Sequence, residues 1–337
     1  MAGRIIACAT YIPFLRLTRA EYRKAWGRCA ADIGEKAVAD FDEDAVTMAV
    51  EAGRQVLALV DAAGVRVLAL ASTTLPYAEK MAAGTVAAAL GLPEKVTSVE
   101  LGTSARAGTE ALLSALALLG GEEGTALVLA ADCPAASPGE DLDHALGAAA
   151  CAFVLAAGSG GVEFEGAASR VTERLGERFV PRGAVRIRDV AVRTYTGEAY
   201  AATVGAVVRD LLERLGRRPG DYRYVVLPQF DGRQTASLGR RLGFTSEQME
   251  AGLIFARVGD TGVCASLLGF CAVLEQASPG DRILVAGYGS GCGGQALSFV
   301  VREPVLRPPH GLHYWLERKR YIDYLHYLKL RLKEQLL

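Results

Sequence analysis

Apolar and polar positions along this chain follow two periods in turn. Nearly unbroken apolar runs at Arg4–Thr10, Val65–Ala71, Val96–Leu101, Ala126–Ala131 and Ala148–Ala156 predict strands of a sheet covered on both faces. Between them, Thr18–Trp26 predicts a short amphipathic helix. Ala45–Ala63 predicts a long helix opened by the acidic triplet Asp42-Glu43-Asp44, and Ala82–Leu90 a small one closed by Gly91. The run Glu110–Gly120 is different, because it is apolar nearly all round and so predicts a helix buried on every side. In the second half, Asp189–Thr194, Tyr222–Leu227, Arg282–Ala286 and Gln295–Val301 predict strands. Glu198–Arg214, Gly232–Leu242 and the apolar Asp260–Gln276 predict helices. The end of the chain, Gly311–Leu337, is aromatic and charged with helical spacing.

The two halves repeat one another. A shift of 157 residues lays Val65–Ser72 on Tyr222–Gln229, Gly102 on Gly259, Ala111-Leu112-Leu113 on Leu268-Gly269-Phe270, and Leu127-Val128-Leu129 on Leu284-Val285-Ala286. A repeat that long is no solenoid. It means two similar α/β halves, at 1–165 and 166–337, each supplying one buried helix that both sheets must cover. The fold class is therefore α/β, with duplicated halves in a five-layer α-β-α-β-α stack, an extension of ordinary layer packing.

Composition narrows the function classes. The chain has 337 residues, 51% of them hydrophobic, enough for a sizeable core, and its formal net charge of −1 offers no general attraction to nucleic acid or an anionic membrane. Seven cysteines occur, without any C-x-x-C pair, which reads as buried thiols in a reducing cytoplasm. Three of the four histidines fall in the last thirty residues, and no spacing suits a metal. The start of the chain has no layout of a signal or transit peptide, and no apolar run approaches the roughly 20 residues that span a bilayer. A cytoplasmic protein with no membrane and no nucleic-acid partner is expected.

The candidate chemistry sits where the buried helix begins, at Gly102-Thr103-Ser104-Ala105-Arg106-Ala107-Gly108-Thr109. Free N–H groups and the helix dipole stabilise an anion at such a position, so nucleophiles are often placed there. Thr103 or Ser104 is the expected helix cap. A second glycine-rich stretch, Tyr288-Gly289-Ser290-Gly291-Cys292-Gly293-Gly294, has spacing like a dinucleotide loop. It is followed by a strand instead of a helix, which excludes that reading.

With these residues in place, the chain resembles the thiolase superfamily, and within it the archaeal-type hydroxymethylglutaryl-CoA synthases and, more distantly, ketoacyl synthase III. The resemblance rests on Gly34–Val38, Asp42–Met48, Pro76-Tyr77-Ala78, Arg106–Thr109, Gly280–Val285, Tyr288–Gly291 and Arg320–Tyr324, in the family's order over almost the whole chain. It implies four catalytic groups: a nucleophilic Cys at the central helix, a Glu after the first inner strand, a His after its counterpart, and an Asn at the second central helix. The Cys position, just before Arg106, is Ala105; the Glu position is Thr73; the His position is Pro228; the Asn position is Asp260. Alanine cannot attack a thioester, and a proline side chain moves no proton. The weak remaining candidates are Ser104, which lacks a nearby base, and Cys264 and Cys292, for which core packing is the bland alternative. The resemblance makes Gly289, Ser290 and Gly291 the loop that lines an acyl pocket with backbone groups.

The expectation is a non-catalytic subunit of a multicomponent acyl-CoA acyltransferase or thiolase complex, acting as scaffold or channel wall. No tightly bound cofactor is expected, the ligand of interest being a coenzyme A thioester. The resemblance implies a homodimer or heterodimer through the edge strand Val96–Leu101, with a thiolase and a zinc-ribbon/OB-fold protein as partners. The rival expectations are an active condensing enzyme with rearranged groups, and an acyl-CoA binding or regulatory protein without a catalytic partner.

Overall fold

Apolar runs bounded by glycine and acidic residues become strands and helices close to the expected limits. The structure is a computed structural model and describes residues 3–121, 123–175, 177–189 and 193–333. The first half contains β1 (Gly3–Tyr11), β2 (Leu15–Thr18), α1 (Arg19–Trp26), β3 (Glu35–Val38), α2 (Ala45–Leu57), β4 (Val65–Ala71), α3 (Ala82–Ala89), β5 (Thr97–Leu101), α4 (Ala107–Leu119), β6 (Thr125–Asp132) and β7 (Ala149–Ala157). Then follow β8 (Val162–Arg170), α5 (Arg193–Leu215), β9 (Tyr224–Val226), α6 (Gly232–Arg241), α7 (Ser246–Glu250), α8 (Phe255–Val258), α9 (Ala265–Leu274), β10 (Arg282–Gly289) and β11 (Gly293–Val301). The chain ends in α10 (Leu312–Glu317), β12 (Arg320–Ile322) and α11 (Tyr324–Lys333).

Nine strands form one mixed sheet in the order β5-β4-β6-β7-β1-β8-β11-β10-β9. Read outward from the join, β1-β7-β6-β4-β5 is matched by β8-β11-β10-β9, so the second half repeats the first without its outermost strand. The halves meet at β1 and β8 through two residue pairs, Arg4 with Glu163 and Ile5 with Val162. Helices α4 and α9 lie between the halves. α4 packs on β4, β6 and β7 from one side and on β10 and β11 from the other. The central core includes Leu112 and Leu116 of α4 with Leu267, Leu268 and Phe270 of α9. On the outer faces, α2 and α3 cover the first half, and α5 and α6 the second. This is the expected five-layer stack.

α9 is apolar all round because it has no solvent face, whereas α4, expected to be buried on every side, exposes Ala117 and Leu118 (46%) in its last turn. Every residue of α9 from Ser266 to Leu274 is buried. The N-terminal ends of the two helices approach so closely that a Cβ on Gly108 would lie 2.1 Å from the Val263 carbonyl oxygen. Only glycine permits that approach.

Three expectations differ from the structure. β8, over Val162–Arg170, is a strand that was not expected. The strand expected at Asp189–Thr194 is not formed: Asp189 lies in a loop, residues 193 and 194 open α5, and residues 190–192 lie outside the described residues. The weak apolar signal of β8 has a physical source. Glu163 and Glu165 turn to Arg302 and Arg282, at 2.8 and 3.0 Å, and Gly166 makes room for Leu215 of α5. The C-terminal stretch is likewise not helical throughout, since β12 pairs with β2 in a small sheet of order β12-β2-β3.

Candidate functional site

The loop between β5 and α4 sets the site. The residue before α4 is Arg106, and no side chain caps the helix. The expected caps are elsewhere: the Thr103 hydroxyl donates to the Gly102 carbonyl at 2.7 Å, and Ser104 is buried beside the Cys292 thiol. Ser104 contributes its carbonyl instead, which accepts from the Ala107 N–H at 3.0 Å. The glycine loop presses on this turn. A Cβ on Gly289 would lie 2.0 Å from the Ser104 hydroxyl oxygen and 2.6 Å from the Arg106 nitrogen.

Ala105, Pro228, Asp260, Gly289 and Ser290 line one cavity of about 90 Å³. The structure thus brings three of the four family positions together with two members of the glycine loop. Glu177, Arg178, Gln229 and Tyr288 also line it. A larger cleft of about 690 Å³ adjoins the cavity, sharing Leu142, Asp189 and Phe230 with it. Arg28, Arg188 and Phe255 stand along that cleft.

Thr73 points elsewhere. Its hydroxyl and amide both donate to Asp132, at 2.8 and 2.7 Å. The Ser72 and Thr74 hydroxyls donate to the same carboxylate at 3.0 and 2.9 Å, and the Val263 N–H at 2.9 Å. Asp132 therefore ties the end of β4 to the turn before α9. Burial pushes its carboxyl above the ordinary value, and the donors from Val263, Thr73 and Thr74 pull the other way.

Asp260 is not the cap of α9, which begins at Ala265 after a short 3₁₀ turn at Gly262–Cys264. Its backbone is clamped to the first half: its N–H donates to Ala145 at 2.7 Å, and its carbonyl accepts from Gly147 at 2.8 Å. Its carboxylate accepts from the Gly262 N–H at 3.0 Å and from the Arg178 guanidinium at 2.6 Å. Burial opposes the Arg178 charge, but the Asp260 carboxylate outweighs it and keeps the guanidinium firmly protonated. Next to it, Glu177 accepts from the Gly291 N–H at 2.6 Å and from the Tyr288 hydroxyl at 3.3 Å. Burial is the main force raising the Glu177 carboxyl.

Neither candidate thiol is poised to react. Cys264 is fully buried, donates to the Ala130 and Ala149 carbonyls at 3.1 and 3.3 Å, and is pushed up by burial. The Cys292 thiol is also raised by burial, with Glu110 at 3.8 Å offsetting nearby Arg106. Among the described residues no group of three or more His, Cys, Asp or Glu could hold a metal ion, and no helix is long and apolar enough to cross a membrane.

Sequence reasoning missed Asp132, Glu177 and Arg178. Asp132 had a usable signal, as the one acid closing the apolar run of β6. Glu177 and Arg178 had none, because they lie in a stretch without periodicity.

Comparisons with known proteins identify the family of the chain. Residues 212–300 match the family described as 3-oxoacyl-[acyl-carrier-protein (ACP)] synthase III C terminal. The hydroxymethylglutaryl-CoA synthase of Aeropyrum pernix is 36% identical over 337 residues, covering 95% of this chain and 92% of that protein. That of Pyrococcus furiosus is 33% identical over 345 residues, covering 98% and 96%. This chain belongs to the hydroxymethylglutaryl-CoA synthase family. Among solved structures, a hydroxymethylglutaryl-CoA synthase complexed with CoA superposes with a TM-score of 0.88 at 18% identity, covering 98% of this chain and 90% of the other. Membership fixes the thiolase-type fold and the acyl-CoA condensing and acyltransferase class of the family.

Proposed function

We propose that this chain is a hydroxymethylglutaryl-CoA synthase relative with an emptied reaction centre, serving as a non-catalytic subunit of a multicomponent acyl-CoA acyltransferase or thiolase complex. One observation carries the reading. At the start of buried α4 the residue facing the cavity is Ala105, Pro228 stands among the other lining residues, and neither Cys nor His is found in the lining among the described residues. Thioester chemistry on this fold needs a nucleophile and a proton carrier at one point, and neither side chain supplies them. Thr73, at the expected acid's position, is committed to Asp132.

In this reading the cavity and cleft are an acyl-CoA channel wall, the ligand being a coenzyme A thioester. The subunit pairs along the edge strand β5, as homodimer or heterodimer, and works beside a thiolase and a zinc-ribbon/OB-fold protein. The halves at 1–165 and 166–337 would act as one scaffold. Glu177 favours a second reading, an active condensing enzyme with rearranged groups, because a carboxyl raised by burial can handle protons.

Incubation of the purified chain with acetyl-CoA and acetoacetyl-CoA, followed by intact-mass and turnover measurements, separates the two. The scaffold reading expects neither adduct nor turnover, and co-purification of a thiolase from the native host. A stable acyl adduct with turnover by the chain alone would establish the enzyme.

A further inference from the structure

We infer that residues 177–189 form a strap that shuts the cavity to the acyl end of a thioester, with the Arg178–Asp260 ion pair as its latch. The inference rests on the reading of the cavity as an acyl-thioester site, and adds how access to it is controlled.

The strap is pinned to both halves of the molecule. At its start Glu177 holds the Gly291 N–H of the glycine loop at 2.6 Å, and Arg178 holds Asp260 at 2.6 Å. At its far end the Ile187 N–H donates to the Ala135 carbonyl of the first half at 2.8 Å. Phe179 and Arg188 exchange two backbone bonds of 2.8 Å, which close the strap into a narrow hairpin. Both ends reach the ligand space: Glu177, Arg178 and Asp189 line the cavity, and Arg188 and Asp189 line the cleft leading to it.

What holds the strap is polar. Its large apolar residues face outward, with Phe179 54%, Val180 47% and Val185 62% exposed; Ile187, at 7%, is its one well-buried large apolar residue. A segment with little apolar burial opens at a small fraction of the global unfolding free energy. The latch itself joins an Asp260 side chain 4% exposed to an Arg178 side chain 23% exposed. Opening the strap withdraws that guanidinium from the cavity and uncovers the side where the cleft meets it. The ligand then meets a conformational toll: apparent affinity falls by the fraction of molecules that are open.

The test is equilibrium binding of acetyl-CoA, and separately of CoA, to the full chain by calorimetry, alongside amide hydrogen exchange of the strap. Arg178→Ala and Asp260→Asn both unlatch it, the first by removing the cation and the second by removing the anion of the pair. A strap open about one-tenth of the time gives an expected gain of about tenfold in acetyl-CoA affinity for both variants. CoA, with no acyl group to place, changes less than about twofold, and strap exchange rises by about tenfold or more. Arg178→Lys, which keeps the charge, falls between wild type and Arg178→Ala. Wild-type affinity in both unlatched variants, faster exchange without tighter binding, or no acetyl-CoA binding by any form would each overturn the strap. Turnover by the wild-type chain would instead overturn the scaffold reading and leave the strap standing.

Discussion

Asp132 shows how much one buried carboxylate organises. It gathers five donors from the turn after β4 and the turn before α9. Each buried donor left without a partner costs about 1–3 kcal/mol, so Asp132→Ala is expected to lose about 3–5 kcal/mol in urea unfolding. Its raised carboxyl also sets a sign with pH. The folded state binds the proton more tightly than the unfolded chain, so this contribution is full below the ordinary carboxylate value of about 4 and is lost as pH rises through the folded value. Wild-type stability relative to Asp132→Asn should therefore fall as pH is raised through that window, as read by denaturant midpoints. Ala105 gives a chemical prediction tied to the proposed empty centre. Ala105→Cys should take a single acetyl group from acetyl-CoA by intact mass, yet condense nothing, because Pro228 offers no proton. Ala105, Pro228 and Asp260 were legible in the sequence because each stands beside a recognisable motif. Arg178 was not, since a residue in an aperiodic loop shows its role only when the chain brings it to Asp260.

At the scale of elements, α4 and α9 carry the architecture. Their all-round apolar composition announced burial in advance, which holds for α9 throughout and for α4 up to Ala117 and Leu118, which are exposed. Strand β8 was hidden for the opposite reason: its alternation is built from Val162, Phe164 and small residues, with Glu163 and Glu165 between them. Burial of a sheet strand by glycine and alanine leaves little hydrophobic signal, and Asp189–Thr194 looked stronger than it is. The close contact of the two central helices is expected to tolerate no growth. Gly108→Ala would drive a methyl group into the Val263 carbonyl, and a loss of about 1–3 kcal/mol or more in thermal or urea unfolding is the expected outcome.

Across the whole molecule, the two halves share one sheet, and its two ends differ. The β5 end presents Thr97 and Ser98 to solvent, with ladder partners on the β4 side. Pairing through this edge, as we propose, should give a dimer by sedimentation. A Thr97→Lys/Ser98→Lys variant, with charges at two exposed positions, should shift it toward monomer while leaving the thermal midpoint little changed. The duplicated order was readable from the 157-residue shift, but this difference between the ends was not, because a shift matches what recurs and passes over what was dropped.

That dropped strand governs growth. β9 is three residues long, with α7 packed against it and Gly252 against Val226. Where the β5 margin pairs as we propose, a ribbon whose other margin is this short joins a single neighbour through a two-fold axis, and association is expected to stop at a closed pair instead of propagating into a fibre.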